Sequence, residues 1–437
     1  MATKEATNER AEPLAGSLRP MTLPAIAVKL ALGARFTVDR DQATIEFERD
    51  RLQMHMTDFD AASRVARRIK RAIPPTVTPS TIVELTALAY RYVAEEVFAP
   101  GARRMLFFPA ISKASAFYRC ILPALSLSSG SRVVAHVSPM RIGREALDYD
   151  IIVVQIDNSP KTYGFAQTLQ RMGKKIVYEI DDAFDALEPW HAVYDIYSSP
   201  EGRDRVYQMM RLADLVTVTT NNLKERYAQY ARRIEVLPNY ISVADWPKAE
   251  PREPDDEFRI LWAGSPSHVG DLAVVGDALS EFCRREPRAT LTFFGQEPRG
   301  ISVARERVRV IPWCDYEEYP NALADIQADV AIAPLADIPF NESKSNVKLL
   351  EYGATGYPTI ASNVGPYRDT IRRESLDGIL CDDGRAWVEA LEALLARKDL
   401  RTALRQGAID LARRHDIERH RADIEQVYLD LVGEDSP

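Results

Sequence analysis

The chain has 437 residues, 46% of them hydrophobic and 27% charged, with 20 Gly and 27 Pro. This composition excludes a collagen-like, wholly disordered or disulfide-scaffold protein, and at ~150 residues per domain the length fits about three folding units. The 56 basic and 64 acidic residues give a net charge of −8, which argues against coating nucleic acid through overall charge and leaves only a local basic patch for that role.

Residues 1–18 lack the apolar core of a leader and are expected to form a disordered tail. Residues 19–101 then read as a small α+β accessory unit. The segment Ala34 to Met56 alternates apolar and charged residues around Asp39–Gln42, the pattern of a hairpin. A helix follows, with Phe59, Ala62, Val65, Ile69 and Ile73 on one face and Arg64, Arg67, Arg68, Lys70 and Arg71 on the other. A second helix opens at the capping box Thr81-Ile-Val-Glu84 and stops at Ala99-Pro100-Gly101.

From Met105 the rhythm changes. MLFF, RVVAHV, DIIVVQI, KKIVYEI, DLVTVT and IEVLP are short apolar runs without alternation, separated by helical patterns. After a polar, proline-rich bridge at 246–257 the rhythm restarts with FRILWAG, ATLTFFG, VRVIPW, DVAIAPL, YPTIAS and DGILCD. Such strands belong to parallel sheets covered on both faces. The chain therefore reads as two tandem doubly wound α/β domains, 102–245 and 258–415. Two terminal helical stretches follow, Asp399–Arg414 and Ile417–Val432, and the segment 416–437 is a candidate to cross back to the first domain. In such sheets ligands bind beyond the carboxyl ends of the strands, so two facing sheets make a cleft between domains.

Several chemistries lack their signatures. No GxGxxG follows the first strand of either half, and GxxxxGK[ST], GxSxG and HExxH are absent. The four cysteines (Cys120, Cys283, Cys314, Cys381) lie far apart with no CxxC, and the six histidines do not cluster, so no metal site is expected. A reduced, cytoplasmic protein is the simplest expectation, and no apolar run approaches the ~20 residues of a membrane span.

The segment Phe340 to Ser362, FNESKSNVKLLEYGATGYPTIAS, is the most informative. A polar loop follows the strand DVAIAPL, an amphipathic helix starts near Ser345–Asn346, and Gly356 ends it before the next strand. A helix start at the carboxyl edge of a sheet suits a diphosphate, and Lys344 and Lys348 flank it. Glu351, little more than one turn on, can accept hydrogen bonds from a ribose diol. The same three charged residues also fit a solvated, salt-bridged helix face.

The pattern N-x-x-K-S-x-x-K-L-L-E-Y-x-A-x-G-x-P-x-I-A-S in this segment resembles the donor-site signature of retaining glycosyltransferases of family 4 and their bacterial and phage offshoots. Ala116-Phe-Tyr-Arg-Cys-Ile-Leu-Pro123, Lys175-Ile-Val-Tyr-Glu-Ile-Asp-Asp182, Ala213 to Thr220, Val236-Leu-Pro-Asn239, and Leu261 to His268 with Gly270-Asp271 resemble further elements of that family in the same order. The resemblance covers about residues 103–433. It implies the GT-B fold, two Rossmann-like domains, and transfer of a sugar from a nucleotide-diphosphate sugar to an acceptor hydroxyl, with retention and no required cofactor or metal.

Carried over by position, the resemblance gives Glu351 the ribose and gives the diphosphate to Ser345, Asn346 and Lys344, with Lys348 as a second cation. Gly264 and Ser265 would admit the phosphates, and His268 would sit over the phosphate or the sugar. Trp313 and Cys314 would lie at the nucleobase. Asp181 and Asp182 would face the sugar and the acceptor, although Asp182 equally fits a helix N-cap. Two departures stand out. Glu342 and Glu351 are spaced E-x8-E where many relatives have E-x7-E, which unsettles a sugar contact by Glu342; and Ser265-Pro-Ser-His268 replaces the usual Arg…Lys pair, leaving Lys344, Lys348 or His268 to neutralise the leaving group. A GT-B sugar-nucleotide epimerase and an inactive nucleotide-sugar-binding scaffold are the alternative readings. The acceptor is open among a glycan, a lipid-linked glycan, a protein and a modified DNA base. The basic helix face at Arg64, Arg67, Arg68, Lys70 and Arg71 is a candidate for peripheral contact with membrane or nucleic acid.

Overall fold

The computed structural model describes residues 102–433, except 110–112, 129–131, 138–143, 190, 192, 251–254, 265–268, 299, 315–317 and 374–375, together with the backbone of 34–39 and 42–47. Strands β1 (Ala34–Asp39) and β2 (Gln42–Phe47) pair antiparallel, with Asp39 opposite Gln42, so the hairpin turns where the alternation places it. The two helices expected at 57–73 and 81–99, with Arg64, Arg67, Arg68, Lys70 and Arg71, lie outside the described residues, as does the tail 1–18.

Six parallel strands form the first large sheet: β3 (Arg103–Phe108), β4 (Val133–Val137), β5 (Ile151–Gln155), β6 (Lys175–Ile180), β7 (Leu215–Val218) and β8 (Ile234–Val236), in the order β4-β3-β5-β6-β7-β8. The second has β9 (Phe258–Ala263), β10 (Ala289–Phe294), β11 (Val308–Ile311), β12 (Val330–Ala333), β13 (Thr359–Ser362) and β14 (Ile379–Cys381), in the order β11-β10-β9-β12-β13-β14. β5, β7, β12 and β13 are buried along their whole length, which is why their sequences run apolar without alternating.

Six helices matter below. α1 (Leu122–Ser128) continues a π-helical turn, Phe117–Ile121. α2 (Tyr319–Ala324) packs near α3 (Val347–Thr355), which runs from the N-cap residue Asn346 to Gly356, whose left-handed φ of 87° closes the helix. α4 (Gly384–Ala396), α5 (Lys398–Arg414) and α6 (Ile417–Leu429) follow. α5 lies so close to α3 that a methyl group on Gly353 would come within 2.4 Å of the Ala408 carbonyl oxygen.

The two domains are tied together at several points. α6 places Ile417, Ile424 and Tyr428 in the core on one face of the first sheet, beside Met105, Phe107 and Leu127. Phe340, from the loop after β12, packs into the core on the other face. The chain crosses between domains twice, and the crossings are hydrogen-bonded side by side: Ile241 N–H donates to His415 O at 3.0 Å and Ile417 N–H to Ile241 O at 2.9 Å. Among the described residues no helix is long and apolar enough to cross a membrane.

Candidate active site

In the second sheet β9 lies between β10 and β12, and the strand order reverses there. The crevice beyond the carboxyl ends of β9 and β12 is thus the expected ligand position. Gly264 follows β9 directly, and the loop after β12 leads through Lys344 and Ser345 into α3. A methyl group at Gly264 would lie 2.6 Å from the Trp262 ring and 3.2 Å from Lys348 Nζ, so only glycine fits. Gly295, after β10, has φ 104°, and a methyl there would meet Gly264 O and the Trp313 ring, each at 2.6 Å.

α3 aims its charged residues into this crevice. Lys348 Nζ donates to Ala263 O and lies 5.3 Å from the centre of the Trp262 ring. Burial lowers its ammonium pKa to about 8, against the pull of Glu351 and Asp271. Glu351 accepts from Tyr118 Oη at 2.7 Å and from Tyr319 Oη at 3.1 Å. Burial raises its pKa, and both hydroxyls and Lys348 act against that rise.

Lys344 stands at the centre of the charges. Its Nζ lies 3.5 Å from Asp271 Oδ2 and 5.0 Å from the centre of the Phe340 ring. The other oxygen of Asp271 accepts from Asn341 Nδ2 (2.7 Å) and Ala336 N–H (3.1 Å), which pins the loop carrying Lys344 to the segment after β9. Asp182, at the end of β6 in the first domain, responds to Lys344 across the interface. Burial and the neighbouring Asp181 push its carboxyl up to about 7, and Lys344 opposes the rise. His191 packs edge-on against Phe340 with ring centres 5.3 Å apart; burial and Lys344 lower its pKa, so the neutral imidazole is favoured.

The structure thus brings together Gly264, Lys344, Ser345, Lys348 and Glu351, with Asp182 sensing Lys344 from the other domain. Trp313 is 44% exposed and stacks on Tyr319 at 5.1 Å, a flat surface beside Gly295; Cys314 packs against the neighbouring core. Two predicted residues face elsewhere. Glu342 pairs with Arg368 at 3.2 Å, and the Asn346 side chain donates to Thr370 Oγ1 at 3.0 Å. Ser265 and His268 lie outside the described residues. Among the described residues no group of three or more His, Cys, Asp or Glu has metal-binding geometry.

Sequence reasoning missed Tyr118, Tyr319, Asn239 and His191 as contributors, and it used Asp271 only as part of a motif. Tyr118, Asn239 and Asp271 all sit inside the segments that carry the family resemblance, so those motifs were the available signal. Nothing in the sequence pointed to His191.

Residues 257–397 match the family model described as Glycosyl transferases group 1. D-inositol 3-phosphate glycosyltransferases are similar over part of the chain. The protein from Corynebacterium urealyticum is 32% identical over 184 residues, 41% of this chain and 37% of the relative. The one from Salinispora tropica is 31% identical over 131 residues, 30% of this chain and 26% of the relative. The chain thus spans well under half of these relatives' length. Among solved structures, Anabaena HepE in complex with UDP-glucose superposes with a TM-score of 0.53 at 15% identity, over 74% of this chain and 99% of that one. The two large domains accordingly have the GT-B fold, and the second resembles the glycosyl transferases group 1.

Proposed function

We propose that the protein is a glycosyltransferase that moves a sugar from a nucleotide-diphosphate sugar to an acceptor hydroxyl, with retention and without a metal. The observation that carries this reading is the convergence of Glu351, Lys348 and Lys344 at the switch point of the second sheet, with Asp182 of the first domain near enough to feel the charge of Lys344. Glu351 takes the ribose diol, and the start of α3 with Lys344 and Lys348 takes the diphosphate. These fixed positive groups stabilise the departing charge without reorganising at the moment of reaction. The bond between the anomeric carbon and the β-phosphate oxygen breaks as the acceptor oxygen bonds on the same face, and the acceptor proton passes to the leaving phosphate. Asp181 and Asp182 orient the sugar and the acceptor.

The names of the curated relatives support glycosyl transfer, and the UDP-glucose held by a structural neighbour supports a nucleotide-sugar donor. The wide spacing of Cys120, Cys283, Cys314 and Cys381, with no CxxC, supports a reducing, cytoplasmic setting. A panel of UDP-, GDP- and ADP-sugars tested by thermal shift, with product analysis of the best donor, tests the reading. A shift with one nucleotide class and transfer with the anomeric configuration kept is the expected result; no shift with any donor overturns it.

A further inference from the structure

Two consecutive residues of the first domain reach both ends of this donor site. They lie in the π-helical turn Phe117–Ile121, where Leu122 N–H donates to Phe117 O, five residues back. Turns of this kind re-aim the side chains that follow and recur at functional sites. Tyr118 donates to Glu351 across the interface at 2.7 Å. Arg119, one position on, donates four hydrogen bonds: Nε and Nη2 donate to the Glu179 carboxylate at 2.7 and 2.9 Å, and Nη1 to Leu237 O at 2.7 Å and Asn239 Oδ1 at 2.9 Å.

The last of these bonds sets a direction. A guanidinium only donates, so the oxygen of the Asn239 amide must face Arg119 and its nitrogen must face away. That nitrogen donates across the interface to Ser345 Oγ at 2.8 Å. With its oxygen accepting from Asn239, the Ser345 hydroxyl keeps its own proton for an acceptor at the start of α3. Tyr118, Arg119, Glu179 and Asn239 are each 5% exposed or less, so the arrangement is fixed by burial.

We propose that this turn is a two-point clamp that completes the nucleotide site only when the domains are together. Tyr118 sets the ribose carboxylate, and Arg119, through Asn239, aims the Ser345 hydroxyl at the diphosphate. The inference rests on the donor-site reading above. Tyr118 and Asn239 are positioning residues, since each acts through a partner. With Tyr118 on one oxygen of Glu351 and Tyr319 on the other, the remaining lone pairs stay open to a diol. The groups facing Glu351 are Tyr118 from the π turn, Tyr319 from α2, Lys348 and Tyr352 from α3 itself, and Tyr367 from the helix Gly365–Thr370. Among those that hold the carboxyl down against burial, the Tyr118 hydrogen bond is the largest.

The test is isothermal titration of the full chain with UDP, with GDP and with ADP, from about pH 5 to about pH 8, for the wild type, Tyr118→Phe, Asn239→Ala and Glu351→Ala. Tyr118→Phe should weaken diphosphate binding roughly tenfold near neutral pH. Its affinity should also begin to fall at a higher pH than the wild type's as pH is lowered, because Glu351 then protonates sooner. Asn239→Ala should weaken binding by a similar factor with the wild-type pH profile. If either variant fails to fold in a thermal melt, the other decides. Wild-type affinity and pH profile in the folded variants, with binding lost in Glu351→Ala, overturns the clamp and leaves the donor site standing. No binding of any of the three diphosphates by the wild type overturns both.

Discussion

Tyr118 Oη lies 2.7 Å from Glu351 Oε1, and this bond joins two residues 233 positions apart, one from each domain. On the same interface Asn239 bonds Ser345, and the Ser343 hydroxyl donates to Asn222 Oδ1 at 2.5 Å. The loop that carries the proposed donor site in the second domain is therefore held by the first. Binding at that loop and the spacing of the domains are one problem, and the variants below separate their parts.

Lys348 gives the site a titration near the top of the physiological range. Its ammonium pKa is lowered to about 8 by burial, whereas a bound diphosphate favours the charged form and raises it. Binding should therefore take up a proton at pH above about 8, and affinity should fall by at most roughly tenfold per pH unit there. Titration calorimetry in buffers of different ionisation enthalpy measures the uptake. Lys348→Arg should remove the pH dependence, and a wild-type profile flat through this range would argue against Lys348 as a diphosphate ligand.

Asp182 predicts a stability change with a definite sign. Its carboxyl pKa is raised from 3.8 to about 7, so the folded state holds the proton more tightly than the unfolded state. The stability this contributes is complete below the unfolded value and is lost as pH rises through about 7. Asp182→Asn, which stays neutral, should melt like the wild type near pH 4 and a few degrees higher near pH 9. A melting difference that does not change with pH would contradict the assignment.

The Arg119–Glu179 pair supports the clamp from behind. Both side chains are buried, and Thr217 also donates to the carboxylate. Arg119→Met alone strands a buried carboxylate and should cost ~3–5 kcal/mol in urea unfolding. Adding Glu179→Leu should recover part of that loss, giving a non-additive cycle. Equal and additive losses would mean the two groups are not coupled.

Gly295 tests the base end of the crevice. Alanine there must adopt φ 104° and place its methyl 2.6 Å from both Gly264 O and the Trp313 ring. Gly295→Ala should weaken nucleotide binding at least roughly tenfold by displacing Trp313 and the backbone at 264. Fluorescence of the partly exposed Trp313 reports the shift, and unchanged emission and binding would exclude this surface from the site.

The central strands were legible because they are short apolar runs buried on both faces, as in IIVVQ at β5 and VAIA at β12. The start and end of α3 were legible from a polar loop and a glycine with positive φ. α4 was not separated out, although Trp387, Leu391 and Leu394 on one buried face mark it as amphipathic. The cross-domain bonds could not be read at all: a tyrosine in a helix and a glutamate in another domain share no periodicity. The same holds for Lys344, whose proximity to Asp271 depends on how two separate loops fold over one sheet edge.

In the proposed function Glu351 closes the ribose end of a nucleotide-sugar site. Titration calorimetry of the wild type and Glu351→Ala with the nucleoside diphosphate of the best donor tests it most directly. The wild type should bind saturably and one-to-one, and a Glu351→Ala chain that still folds should lose at least roughly a hundredfold in affinity. Equal affinity in the two proteins would contradict it.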